Sequence, residues 1–295
     1  MITGQLKRIF ELQSPDSEWN KSKNNICAVV SGKGGTGKTV FSIYLSDLLV
    51  NRNRKILLID LDINLANIHF LLNQTPAKSL NNYFSENETL QNLITEYADN
   101  FHIIYGLNSY SIKDFPLKSS LERLIRDIDL LSENYDLVIL DLGAGLSEFT
   151  LNALKISGIK IIVSYPEATS VMDAYAVIKM YENFDAPSEF QLVMNRCLDK
   201  NDGVEGFNKL SKAVQSFLRS SVKLLSTISE SNEIRQSVAG QTLLDEANSD
   251  SNFISELMVA AEKIDKYIHL TNINQPSKSS SFSPSKNNSK SSIIL

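Results

Sequence analysis

The stretch Ile26–Thr39, ICAVVSGKGGTGKT, decides the fold. It opens with a β-rich apolar run, and Gly32 to Thr39 then fits GxxxxGK[ST]. Behind it, TVFSIYLSDLLVNRN (39–53) carries apolar positions at three- and four-residue spacing, as an amphipathic helix requires. A glycine-rich turn between a strand and a helix lets backbone N–H groups converge on phosphate oxygens, and the helix N-terminus adds a partial positive charge there. Gly32, Gly34, Gly35 and Gly37 let the chain wrap, with Lys33 and Thr36 between them. Lys38 is expected to meet the β- and γ-phosphates, and the Thr39 hydroxyl to hold Mg²⁺. Lys33 is a second lysine that such a loop does not require.

Outward from this loop, strand-like and helix-like segments alternate. ICAVVSG (26–32), KILLID (55–60), FHIIYG (101–106), YDLVILD (135–141), KIIVSY (160–165), FQLVMN (190–195) and VKLLSTI (222–228) are continuous apolar runs. Such runs predict strands buried on both faces, as in a parallel sheet covered by helices. Segments such as SSLERLIRDIDLLSEN (119–134) are long enough for crossover helices. The fold class is therefore α/β, a doubly wound, mostly parallel sheet flanked by helices. The domain spans residues 24–271, preceded by an arm and linker (1–23) and followed by a Ser-, Asn- and Lys-rich tail (272–295) expected to be disordered.

Composition narrows the function classes. A net charge of −5 and a pI near 5.4 argue against general nucleic-acid binding. Cys27 and Cys197 lie in apolar runs without a CxxC pair, as expected of buried reduced thiols in the cytoplasm. The N-terminus MITGQLKRIFELQ lacks the layout of a signal peptide, and no apolar stretch approaches a membrane span.

Nucleotide chemistry at a phosphate loop needs acidic groups on neighbouring strands to position Mg²⁺ and an attacking water. ILLID runs into Asp60-Leu61-Asp62, and YDLVIL ends at Asp141, before Leu142-Gly143-Ala144-Gly145. Carboxylates at C-terminal strand ends face the crevice where ligands bind in such sheets.

KGGTGKT, with a lysine directly after the first glycine, resembles the deviant Walker A motif of the MinD/ParA family. LLIDLDINLANIHFLLN, LDLGAGLSEFTLNAL, YPEATSVMDAYAVIKMY and QLVMNRC are similar to its FlhG-like (FleN-like) members, ATPases that regulate flagellar number and placement. The resemblance covers roughly residues 24–250. It implies a P-loop ATPase with ATP and Mg²⁺ as cofactors and an ATP-dependent homodimer, in which Lys33 reaches the nucleotide of the other subunit. By the same resemblance Asp62 orients the hydrolytic water, Asp60 lies near the metal's water shell and Asp141 holds Mg²⁺ through water. Gly145 senses the γ-phosphate, and Asn195 bonds adenine. Arg196 either frames the nucleotide or is surface charge. Two departures bear on the base: Ile228-Ser229-Glu230-Ser231 stands where relatives have Ile-Pro-x-Asp, and Ala168 replaces a proline.

The resemblance further implies an FlhF-like GTPase and flagellar switch proteins as partners, with peripheral attachment to the inner face of the cell membrane. GQLKRIF keeps only Gln5 of a family segment that activates the GTPase, and the arm either binds a partner groove or docks on its own domain. SNFISELMVAAEKIDKYIHL (251–270) carries an apolar stripe from Phe253 to Ile268, expected to pack on the core rather than on lipid. A ParA/MinD-type partitioning or division-site ATPase, and a partner-binding module with negligible turnover, remain the alternatives.

Overall fold

A computed structural model describes residues 23–63, 66–86, 88–107, 118–243 and 252–273. The arm before residue 23 and the tail after residue 273 lie outside the described residues. Along the chain run β1 (Lys23–Val30), α1 (Lys38–Val50), β2 (Ile56–Leu61), α2 (Ile68–Leu71), α3 (Leu80–Ser85), β3 (Thr95–Ala98) and β4 (Phe101–Ile104). Then follow α4 (Lys118–Leu131), β5 (Leu137–Leu142), α5 (Glu148–Ile156), β6 (Ser157–Ser164) and α6 (Ala168–Phe184). The remainder is β7 (Glu189–Cys197), α7 (Lys200–Phe217), β8 (Ser221–Ser229), α8 (Asn232–Gly240) and α9 (Asn252–Ile273).

The strands form one sheet in the order β3-β4-β2-β5-β1-β6-β7-β8. Every pairing is parallel except β3 with β4. β3, TEYA, has no counterpart in the sequence reading because it lacks an apolar run: it is a four-residue edge strand, exposed at alternate positions. An antiparallel edge needs only a short turn, so no crossover helix announces it.

Both faces of the sheet are covered, which accounts for the unbroken apolar runs. Ile26, Ala28 and Val30 of β1 pack into one core layer, while Cys27 and Val29 pack into the other. Both cysteines are buried and free. β1 sits centrally between β5 and β6, so the loop after it opens at the point where the connections change sides.

The stripe of α9 belongs to the core. Phe253, Ile254, Leu257, Ala261, Ile264 and Ile268 are buried in the same layer as Phe41 and Leu45 of α1, and the Phe253 ring meets Tyr44 edge-on at 5.2 Å. Each buried Phe, Ile or Leu of the stripe contributes about 1.5–3 kcal/mol relative to exposure to water. Turning the stripe toward a lipid surface would give up this packing and leave the facing layer of α1 and the sheet uncovered. Among the described residues no helix is long and apolar enough to cross a membrane.

Candidate nucleotide-binding site

The loop from Ser31 to Gly37 joins β1 to α1 and is held by close approaches that only glycine permits. Gly37 adopts φ 87°, and a Cβ there would lie 2.4 Å from Asn195 Nδ2. At Gly32 a Cβ would come within 2.5 Å of the Asp173 carbonyl oxygen on α6. The Ser31 hydroxyl donates to the Lys33 carbonyl at 2.8 Å, and the Gly145 N–H donates to the Ser31 carbonyl at 3.0 Å. The loop after β5 is thereby tied to the phosphate loop.

The two lysines separate cleanly. Lys38, on the first turn of α1, is buried and acts electrostatically on Asp141, whereas Lys33 is exposed. Asp141 is fully buried at the end of β5, with Oδ1 accepting a hydrogen bond from Ser42 Oγ at 3.2 Å. Its Oδ2 and the Thr36 Oγ1 are buried without a hydrogen-bond partner among the described residues. Buried polar atoms are normally satisfied, so two orphans around one loop mark the place of a ligand. Burial raises the Asp141 carboxyl above its ordinary range, while Lys38 and hydrogen bonds from Thr39 and Ser42 pull it back.

Asp60 stands beside Asp141 in register and is equally buried. Both of its oxygens are taken by backbone: Oδ1 accepts from the Asp62 N–H at 3.2 Å, and Oδ2 from Asn67 and Ile68 at 3.0 and 3.1 Å. Burial first, then the neighbouring Asp141 charge, pushes Asp60 up to about 7. Asp62 lies against the loop after β5, where a Cβ on Gly143 would meet Asp62 Oδ1 at 3.2 Å.

On the other flank, the Asn195 amide is already engaged by the protein. Its Nδ2 donates to the Thr36 carbonyl at 2.8 Å, and its Oδ1 accepts the Arg196 N–H at 2.9 Å. One hydrogen and one lone pair remain for a ligand. Beside it opens a cavity of about 130 Å³ lined by Gly37, Phe41, Asn195, Ile228, Ile234 and Phe253, with Arg196 and Glu230 also on its wall. The departing segment Ser229–Ser231 lies on this wall. Glu256 of α9 holds it, accepting from the Ser229 N–H at 2.6 Å and the Ser229 hydroxyl at 2.8 Å.

A phosphate loop, buried carboxylates at two strand ends and an adjoining base-sized cavity make a nucleotide site, and comparison with known proteins identifies its type. The profile of a family described as "AAA domain" matches residues 24–194, more than half of the chain. The chain belongs to this family of MinD/ParA-type P-loop ATPases. It is 26% identical to the antiactivator FleN of Pseudomonas aeruginosa over 82% of this chain and 86% of FleN. Against the flagellum site-determining protein YlxH of Helicobacter pylori the identity is 27%, over 81% and 82% of the two chains. The septum site-determining protein MinD of Pyrococcus horikoshii, solved with Mg-ADP, superposes with a TM-score of 0.67 at 25% identity, covering 84% of this chain and 98% of that one.

In this P-loop ATPase the sequence-predicted residues Gly32–Thr39, Asp60, Asp62, Asp141, Asn195 and Arg196 all gather around the C-terminal end of β1 and its neighbours. Three contributors escaped the sequence reading. Ser42, Tyr165 and Glu256 reach the site through side-chain contacts that join distant segments. Only the Ser42 position, one turn after Lys38, had a readable signal.

The donor set suits Mg²⁺. Thr39 and Asp141 present hard oxygen ligands beside the orphaned Oδ2, with Asp60 behind them. Among the described residues no cluster of three or more His, Cys, Asp or Glu could hold a metal by itself. Mg²⁺ ordinarily uses one or two carboxylates and takes the rest of its shell from phosphates and water.

Proposed function

We propose that this ATPase is an ATP-dependent dimerising switch that regulates flagellar number or placement and hydrolyses ATP slowly to ADP and phosphate. One observation carries the reading: Lys38 is buried beside Asp141, whereas Lys33 of the same loop is exposed. An exposed ammonium on a long stem can meet the phosphates held by a second copy, in the manner of an arginine finger acting in trans. The similarity to FleN and YlxH over four-fifths of the chain supports the flagellar assignment.

In this reading the Gly32–Thr39 loop cradles the phosphates, and Lys38 offsets their charge from within. Thr39 and Asp141 would hold Mg²⁺, with Asp60 behind them, and the ion when bound would offset the negative charge of the phosphates. Asp62 orients the attacking water, and Asp60 fixes Asp62 by accepting its backbone N–H. Asn195 and Arg196 border the base. Gly145, bonded to Ser31, couples the loop after β5 to occupancy of the phosphate loop. An FlhF-like GTPase and flagellar switch proteins are the partners such a dimer would address. Membrane attachment would fall to parts other than the buried stripe of α9.

Sizing chromatography of Asp62→Ala with Mg²⁺ and either ATP or ADP tests this. A dimer with ATP and a monomer with ADP is expected. A monomer under both conditions removes the dimer-switch reading.

A further inference from the structure

Two successive carbonyls of the phosphate loop are capped by side chains from the ends of neighbouring strands. The Tyr165 hydroxyl, just after β6, donates to the Gly35 carbonyl. Asn195 Nδ2, near the end of β7, donates to the Thr36 carbonyl at 2.8 Å. In a trans peptide the C=O of one residue and the N–H of the next point in opposite directions. Drawing the Gly35 and Thr36 carbonyls toward the ends of β6 and β7 therefore turns the Thr36 and Gly37 N–H groups the other way, away from those strands.

We propose that Tyr165 is a positioning residue of the phosphate loop. Together with Asn195 it presents the Thr36 and Gly37 N–H groups to the phosphates of the nucleotide. The inference rests on the reading of this loop as a nucleotide site.

The surroundings of Tyr165 are built to hold it. Its backbone N–H donates to Ser170 Oγ at 3.0 Å, and Ser164 Oγ donates to the Ser170 carbonyl at 3.0 Å, fastening the turn into α6. Arg196 places its guanidinium over the Tyr165 ring, 5.3 Å from the centroid. Arg196 takes a left-handed backbone, φ 52°, a conformation costly for a residue with a Cβ. That turn is secured by the Asn195 Oδ1, so one strained pair supplies both the second carbonyl cap and the cover on the first. Burial keeps the phenol above its ordinary range, and the hydroxyl is a donor at neutral pH.

Tyr165→Phe removes the hydroxyl and keeps the ring beneath Arg196. Fluorescent ADP and ATP analogues would be titrated onto full-length wild type and variant with Mg²⁺, and inorganic tripolyphosphate used to displace them. About five-fold weaker binding of both nucleotides is expected, the scale of one net hydrogen bond. Tripolyphosphate should weaken by the same factor, because the capped peptides serve phosphate and not base. Melting of the nucleotide-free protein should fall by a few degrees at most, the scale of one hydrogen bond, and hydrogen exchange outside residues 32–39 should match wild type. Unchanged affinity in the variant overturns the inference, as does weaker nucleotide binding with unchanged tripolyphosphate, which would place the effect at the base. A variant that melts early, with exchange raised throughout, also overturns it by giving Tyr165 a general structural role. Wild type that binds neither nucleotide would instead refute the nucleotide-site reading itself.

Discussion

Asp60 and Asp141 are direct partners across β2 and β5, and both are buried. Two carboxylates side by side, out of water, repel unless cations stand close by. Lys38 is the protein's own cation there, acting on Asp141. Asp60 is instead satisfied by the backbone N–H groups of Asp62, Asn67 and Ile68.

This gives Asp60 a role separable from phosphate binding. Asp60→Asn keeps one acceptor oxygen but aims an NH₂ at backbone N–H donors, which should displace Asp62. Single-turnover hydrolysis is expected to slow by about 10²-fold, the scale of a 1 Å misplacement. ADP affinity measured in parallel should stay close to wild type, since the loop residues are untouched.

The two lysines should fail differently. Lys38→Ala leaves the buried Asp141 without its cation and should abolish nucleotide binding, with a loss of about 10²-fold or more. Lys33→Ala should bind nucleotide as a monomer with near wild-type affinity yet form no ATP-dependent dimer. Calorimetry with ADP, paired with light scattering in ATP, reads both quantities. Retention of the ATP dimer in the Lys33 variant would exclude the trans role.

Glu256 links the C-terminal helix to the base-side wall. Removing its two hydrogen bonds to Ser229 in Glu256→Ala should cost about 1–3 kcal/mol of stability in urea unfolding. Adenine nucleotides should bind more weakly while tripolyphosphate binds as before. Tyr165→Phe is expected to weaken tripolyphosphate binding as well, so displacement by tripolyphosphate separates the base contribution from the phosphate contribution.

Lys160 provides a pH test far from the nucleotide. Buried in β6, it donates to the Ser157 carbonyl at 2.7 Å and lies over the Tyr181 ring. Burial lowers it to about 8 from an ordinary 10.5, with Asp185 opposing the shift. Its folded pKa is the lower one, so between these values the unfolded chain binds more protons and stability rises with pH. Lys160→Met should lose that rise, worth up to about 3 kcal/mol across the window. Urea unfolding of both proteins at several alkaline pH values checks the difference in slope. Equal slopes would mean that the ammonium is not penalised by burial.

Much of the molecule was legible from local pattern. Seven strands announced themselves as apolar runs because each is covered on both faces, as the alternate residues of β1 show. The phosphate loop was legible because its function needs glycines and a lysine at fixed spacing next to one strand and one helix. β3 was not, since an exposed four-residue edge strand carries no hydrophobic signature. The stripe on α9 was legible as a stripe, and its burial against α1 and the sheet was then found in the packing.

By itself, then, the sequence determined the fold class and the place of the phosphate loop between one strand and one helix, because those depend on short-range spacing. Tertiary structure alone decided what each residue can touch. Asp60 beside Asp141, Tyr165 on the Gly35 carbonyl and Glu256 on Ser229 join segments 81, 130 and 27 residues apart. Contacts at such separations are set by strand order and crossover packing, and no local pattern encodes them.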